Sequence, residues 1–302
     1  MRILIPGGSG YVGRFLCPEL VRAGHEVRVT TRDPDRAARR LPGPVEFVHP
    51  RNPDEWAQAA RGSDAVINLA GESIAEGRWT PTRKRALQRS RVATTRSLVD
   101  ACAGLDERPA VFVSASAVGY YGPHGDEKLD ESAPAGDDFL ARLCVAWEAE
   151  AARAASLGMR VVLPRIGVVL GDHGGALERM VLPFRLFVGG PLGSGQQWLS
   201  WVHRSDVVAF LIDALTNDRM SGPINLVAPD ARRMSDFSRA LGAALRRPSW
   251  IPTPGWALRA GLGEMADMLL TGQRVVPAAA EAAGYRFRYR SLGDALAEIL
   301  HR

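Results

Sequence analysis

The chain has 302 residues, 46% of them hydrophobic and 24% charged, a balance that fits an α/β domain with an appendage and excludes a disordered chain. Its net charge is +5, from 38 Lys and Arg against 33 Asp and Glu, and no nucleic-acid motif accompanies its densest basic stretch, 83–91, so no nucleic-acid partner is expected. No apolar run nears the ~20 residues that cross a bilayer, no His or Cys spacing marks a metal site, and three scattered cysteines fit a reducing cytoplasm better than a disulfide framework.

The elements follow in chain order. Residues 3–6 (ILIP) read as a short buried strand, with no signal peptide before it. A glycine turn comes next, then a helix in which Val12, Phe15, Leu16, Leu20 and Val21 recur at helical spacing. Gly24 ends that helix and EVRVT begins a second strand, so strand, turn, helix and strand fit within about 30 residues, the length of a βαβ unit. Strands are predicted over 45–49, 65–71, 110–116 and 160–171, and helices over 83–103 and 138–158. This alternation predicts a Rossmann-type, doubly wound parallel sheet. After residue 171 the sequence becomes rich in Gly, Pro and Trp. We therefore expect a dinucleotide-binding core over 1–171, joined by a returning strand near 223–228. A smaller substrate-side region follows over 172–302 and includes a distinct tail, 246–295.

The turn reads Gly7-Gly8-Ser9-Gly10-Tyr11-Val12-Gly13. Early glycines permit a tight turn and close approach of a pyrophosphate, and the last lets the helix pack on the strand. The helix N-terminus then offers free N–H groups to the phosphates. We expect Gly7, Ser9, Gly10, Tyr11, Val12 and Gly13 to bind a dinucleotide. Thr31 and Arg32 at the end of the second strand choose between cofactors. An arginine suits the 2′-phosphate of NADP(H), with Arg36 in support, whereas Asp33 would suit the ribose of NAD. NADP(H) is the expected cofactor.

The motifs Gly7 to Gly13, Asp64 to Gly71 (DAVINLAG), Ser114 to Gly122 (SASAVGYYG), Arg165 to Gly171 and Trp201 to Val207 resemble the extended short-chain dehydrogenase/reductase superfamily over nearly the whole chain. More narrowly, NLAGESI (68–74), SRVATT (90–95), GGALERMVLPFR (174–185), GGPLGSGQQW (189–198) and the 246–287 stretch resemble its atypical epimerase-like branch, sometimes named after a cell-division inhibitor. The tail is similar to that branch's small C-terminal domain of unknown function. The resemblance implies an epimerase-like oxidoreductase and adds Leu69, Ala70, Gly71 and Arg165 to the expected cofactor site; Arg91 departs from the Asn-x-x-Gly-Thr run that extended members often carry there, and is expected to meet the cofactor's phosphates or a substrate anion. It also implies a homodimer through helices like 83–103 and 138–158.

The usual members use a tyrosine and lysine spaced Y-x-x-x-K, the lysine tuning the tyrosine for proton exchange. Neither of the two lysines, Lys84 and Lys128, follows a tyrosine at that spacing. Aligned on Trp147-Glu148, the two positions fall near Leu140 and Cys144. Ser116 remains as a hydroxyl able to meet a substrate carbonyl, and Tyr120 or Tyr121 is a candidate substitute acid. Glu72, Ser73, Trp198, Trp201 and His203 are expected to wall the substrate pocket, and Asp206 to cap the helix after them. A catalyst of unidentified small-molecule substrate and a non-catalytic NADP(H)-binding sensor or partner-binding protein both remain open.

Overall fold

The computed structural model describes residues 1–301. Seven parallel strands form the central sheet: β1 (Arg2–Pro6), β2 (Glu26–Thr30), β3 (Val45–Val48), β4 (Ala65–Asn68), β5 (Val111–Ser114), β6 (Arg160–Ile166) and β7 (Gly222–Leu226). Their order is 3-2-1-4-5-6-7, and the two-residue strand Ser116–Ala117 also pairs with β6. The order reverses between β1 and β4, and ligands of such sheets lie at that switch point, beyond the carboxyl ends of the strands.

Alternation along the strands divides the core into two layers. Ile3, Ile5, Val27, Val29 and Ile67 face one side, packed with Leu16 and Leu20 of α1 (Gly13–Arg22). Leu4, Val66 and Phe112 face the other, with Leu98 and Val99 from the helix below. Both faces are covered, so the central strands are apolar at every position. Cutting Leu16 back to alanine would cost about 2–5 kcal/mol as a buried cavity.

Between the strands run α2 (Pro34–Arg40), α3 (Pro53–Ala60), α4 (Pro81–Gln88), α5 (Thr94–Ala103) and α6 (Phe139–Ala152). Asn52, Thr80 and Asp138 cap α3, α4 and α6 through side-chain oxygens that accept a backbone N–H. The helix expected over 83–103 is interrupted by a π-helical turn at Arg89–Ala93, a feature that periodicity does not reveal. Such turns often sit at functional sites. The helix expected to reach Gly158 changes to 3₁₀ geometry at Arg153 and ends where Gly158 takes φ +84°.

The second half adds α7 (Gly175–Arg185), α8 (Arg204–Asp213) and α9 (Met234–Leu245), then short helices ending in Leu292–Leu300. Leu177, Val181 and Phe184 of α7, Phe237 and Leu241 of α9, and Leu292, Leu296 and Ile299 of the last helix share a third core. This core carries the tail onto the carboxyl edge of the sheet. Among the described residues, no helix is long and apolar enough to cross a membrane.

Candidate functional site: a cleft with two unlike ends

A cleft of about 1430 Å³ runs along the carboxyl edge of the sheet. The glycine turn forms its centre. Gly7 has φ +79°, and a Cβ there would lie 2.5 Å from the Leu69 carbonyl oxygen. At Gly13 a Cβ would collide with the backbone of Gly8, so this glycine lets α1 start against the turn. Gly10 differs. Its Cβ would meet only the Gly7 carbonyl, at 3.0 Å, and otherwise enter the open cradle. No side chain caps the first turn of α1. A turn that leaves its cradle clear beside an uncapped helix start is built for an anion such as a pyrophosphate.

Ser9, Tyr11, Val12, Leu69, Ala70 and Gly71 also line the cleft. Beneath Ala70 lies a buried polar hub that sequence reading missed. Asn68 Nδ2 donates to the hydroxyls of Thr95 (2.8 Å) and Ser114 (3.1 Å), and its Oδ1 accepts from the Ala70 N–H. Trp147 Nε1 donates to the same Thr95 hydroxyl at 3.0 Å. The asparagine ending an apolar strand was the available signal: a fully buried amide needs partners, and here they fix the β4 loop.

Sheet order sets what lies at each end. Beyond β2 and β3 the lining carries Thr31, Arg32, Arg36, Arg40, His49 and Arg51. The Arg32 side chain is 84% exposed, with only a 3.3 Å contact to Glu72. Asp33 also lines the cleft, with its Oδ1 accepting the Arg36 N–H to cap α2. Arg91 sits in the π-helical turn and lines the cleft, yet its guanidinium already donates to the carbonyls of Glu72 (2.8 Å) and Leu87 (3.3 Å). Burial lowers its pKa from the ordinary arginine value. Glu72 lines the cleft in an ion pair with Arg83, while Ser73 lies outside it and lends only its carbonyl to Arg83.

At the other end, beyond β5 and β6, Ser116 lines the cleft and is 3% exposed. Its hydroxyl donates to Glu148 Oε1 at 2.6 Å, so the proton expected to meet a substrate carbonyl is already engaged. Both Glu148 oxygens meet the Arg165 guanidinium at 2.9 Å. Arg165, expected at the cofactor, does not line the cleft. It is 3% exposed, donates to the Tyr121 hydroxyl at 3.0 Å, and lies 3.4 Å from the Tyr120 ring centroid. Burial alone would lower its pKa, but the Glu148 contact outweighs that and raises it.

Tyr121 is fully buried, donates to Asn225 and has its pKa raised by burial, and neither Tyr120 nor Tyr121 lines the cleft. Both face the buried ion pair, because an apolar strand end cannot leave Arg165 unaccompanied. Of the expected wall residues Trp198 lines the cleft, with Arg233 and Arg274 on its ring and its Nε1 on Asp126. Trp201 and His203 do not. Trp201 is buried and donates to the Asp230 carbonyl. His203 caps α8 by accepting the Ser205 N–H, while its other ring nitrogen meets Glu298 at 3.0 Å. Asp206 is not that cap. It accepts from the backbone N–H groups of Arg288 and Tyr289, tying the tail to α8.

Leu140 and Cys144, one turn apart on α6, face the cleft beside Ser116. Burial pushes the Cys144 thiol up to about 12, so it is no thiolate nucleophile. From the tail come Met268, Leu269, Thr271, Gly272 and Gln273, which close this end of the cleft.

Residues 3–227 match the NAD dependent epimerase/dehydratase family, and residues 253–299 match the domain of unknown function DUF1731. The chain belongs to the NAD dependent epimerase/dehydratase family. It is 43% identical over 307 residues to the epimerase family protein SDR39U1 homolog, chloroplastic, of Arabidopsis thaliana, covering 99% of this chain and 87% of the relative. A crystal structure of human epimerase family protein SDR39U1 (isoform 2) with NADPH superposes at a TM-score of 0.89, with 39% identity and 100% of each chain covered. UDP-glucose 4-epimerase from Thermotoga maritima, solved with UDP-glucose, has a TM-score of 0.82 at 14% identity, over 100% of this chain and 98% of that one. That likeness is one of fold alone.

Proposed function

We propose that this chain binds NADP(H) across the glycine turn and acts as an epimerase-like oxidoreductase on a small molecule, without a Tyr-x-x-x-Lys dyad. One observation carries the cofactor reading: Arg32, 84% exposed, and Arg36 stand at the β2 end of the cleft, while Asp33, the residue that would favour NAD, turns one carboxylate oxygen to the cap of α2. NADPH in the crystal structure of the human relative supports it. The turn and the uncapped start of α1 would hold the pyrophosphate, and Thr31, Arg32 and Arg36 the 2′-phosphate. When bound, NADPH supplies a hydride. The chain's own residues bind, orient and exclude water. Leu140, Cys144 and the tail dry the substrate end, and the Arg165–Glu148 pair fixes Ser116.

A second reading has its own support. The hydroxyl of Ser116 is engaged, the Cys144 thiol stays protonated, and Tyr120 and Tyr121 face inward. A protein that binds NADP(H) without turnover would need no proton donor. Steady-state NADPH oxidation against a panel of ketones, aldehydes and enones separates the two. Turnover with any of them supports the oxidoreductase, and tight binding with no turnover across the panel supports the sensor. Three free, buried cysteines fit residence in a reducing cytoplasm. A homodimer through α5 and α6 is a further expectation, tested by sedimentation.

A further inference from the structure

The two ends of the cleft differ in charge. Up to Arg91 the lining is rich in arginine. After Arg91, among the described residues, no Lys, Arg or His lines the cleft. The one charged residue there is Asp138, and its carboxylate is used to cap α6. The walls are instead Leu140, Leu143, Met180, Met234 and Met268, with Trp198 at the edge. Three methionines from α7, α9 and the tail make an adaptable apolar lining. Arg233 and Arg274 lie close by on the Trp198 ring, at 4.8 and 4.5 Å, but neither lines the cleft, and Arg233 is also paired with Asp126. The one cation that borders this end, Arg91 beside Cys144 and 5.4 Å from the Trp147 ring, already donates to the Glu72 and Leu87 carbonyls, so a pyrophosphate placed here would lose its water with no free cation to replace it, which is costly.

Two side-chain oxygens there are acceptors. Ser116 Oγ has given its hydrogen to Glu148, so toward a ligand it offers lone pairs. Gln197 Nε2 donates to the carbonyls of Leu192 (3.0 Å) and Leu269 (2.8 Å), which orients the amide. Its Oε1 is buried and has no hydrogen-bond partner. An unpartnered buried acceptor lining a cleft calls for a donor from outside the protein.

We infer that the substrate end takes an uncharged, mainly apolar molecule bearing a hydroxyl group, and not a nucleotide sugar. This inference rests on the reading that the other end holds NADP(H). Its test is therefore staged. Calorimetric titration with NADP⁺ comes first, and failure at that step removes the cofactor reading itself. The NADP⁺-saturated protein is then titrated with 1-(2-naphthyl)ethanol and, separately, with UDP-glucose. The same titrations follow on Met268→Glu, a half-buried position outside the nucleotide end. We expect the naphthyl alcohol to bind, UDP-glucose to bind at least tenfold more weakly, and Met268→Glu to weaken the alcohol at least tenfold with NADP⁺ affinity unchanged. UDP-glucose binding as well as or better than the alcohol would overturn the inference. So would no binding of the alcohol at millimolar concentration, or alcohol binding that Met268→Glu leaves unmoved.

Discussion

Replacing Glu148 by alanine tests whether Arg165 is a structural cation or a ligand for the cofactor. In the native protein Arg165 is 3% exposed, with two 2.9 Å contacts to Glu148, a 3.0 Å contact to Tyr121 and the Tyr120 face beneath it. Without the carboxylate, the guanidinium keeps only neutral partners in a nearly dry site. Removing one partner of such a pair costs about 3–5 kcal/mol, because the other charge stays buried and uncompensated. In a chain of this size each kcal/mol moves the midpoint by roughly 2 °C, so the expected fall in Tm is roughly 6–10 °C. Glu148→Gln keeps an acceptor for Arg165 and should lose less. The assay is scanning calorimetry of the three proteins, paired with NADP⁺ titration at a temperature where all are folded. NADP⁺ affinity should stay within about threefold, since Arg165 does not line the cleft. A small change in Tm with a large loss of NADP⁺ affinity would refute the argument and return Arg165 to the cofactor.

Further outcomes follow from the same geometry. Arg32→Glu should weaken NADP⁺ by at least tenfold and NAD⁺ little, because the lost contact is charge-assisted and specific to the 2′-phosphate; equal losses in parallel titrations would remove that assignment. Gly10→Ala should fold with nearly native Tm yet bind NADP⁺ poorly, since its methyl group would fill the cradle. Gly13→Ala should instead lower Tm strongly, because its methyl group would strike the Gly8 backbone; calorimetry and titration of the pair check both. His203 has its pKa lowered by burial, against an opposing effect of Glu298. The unfolded chain therefore binds a proton more readily than the native one as pH falls through about 6.5, and stability is lost over that range. His203→Gln should flatten the fall in Tm between pH 7 and 5.5, and an unchanged slope would count against this account.

The alternation of strands and helices was legible because parallel strands covered on both faces read as apolar runs between helical periods. The glycine turn was legible because Gly7 and Gly13 answer steric demands that no other residue meets, while Gly10 keeps the cradle open. The substrate end was harder. Trp201 and His203 alternate along an extended run and were expected to share the cleft, but their strand is buried on both sides, and period two cannot say which side holds a ligand. That Arg165 does not line the cleft was hidden for a similar reason. Its strand position was right, but its partner Glu148 comes from a helix elsewhere in the chain. The π-helical turn that carries Arg91 leaves no trace in hydrophobic spacing. The tail's place at the mouth of the cleft depends on contacts such as Asp206 with Arg288 and Tyr289, far apart in sequence.

The most direct test of the central claim is calorimetric titration of the purified protein, cleared of any co-purified nucleotide, with NADP⁺, NADPH, NAD⁺ and NADH. Micromolar or tighter binding of the two phosphorylated forms, with NAD⁺ and NADH at least tenfold weaker, is the predicted result. Equal binding of all four would contradict the 2′-phosphate reading, and binding of none would contradict the cofactor site itself.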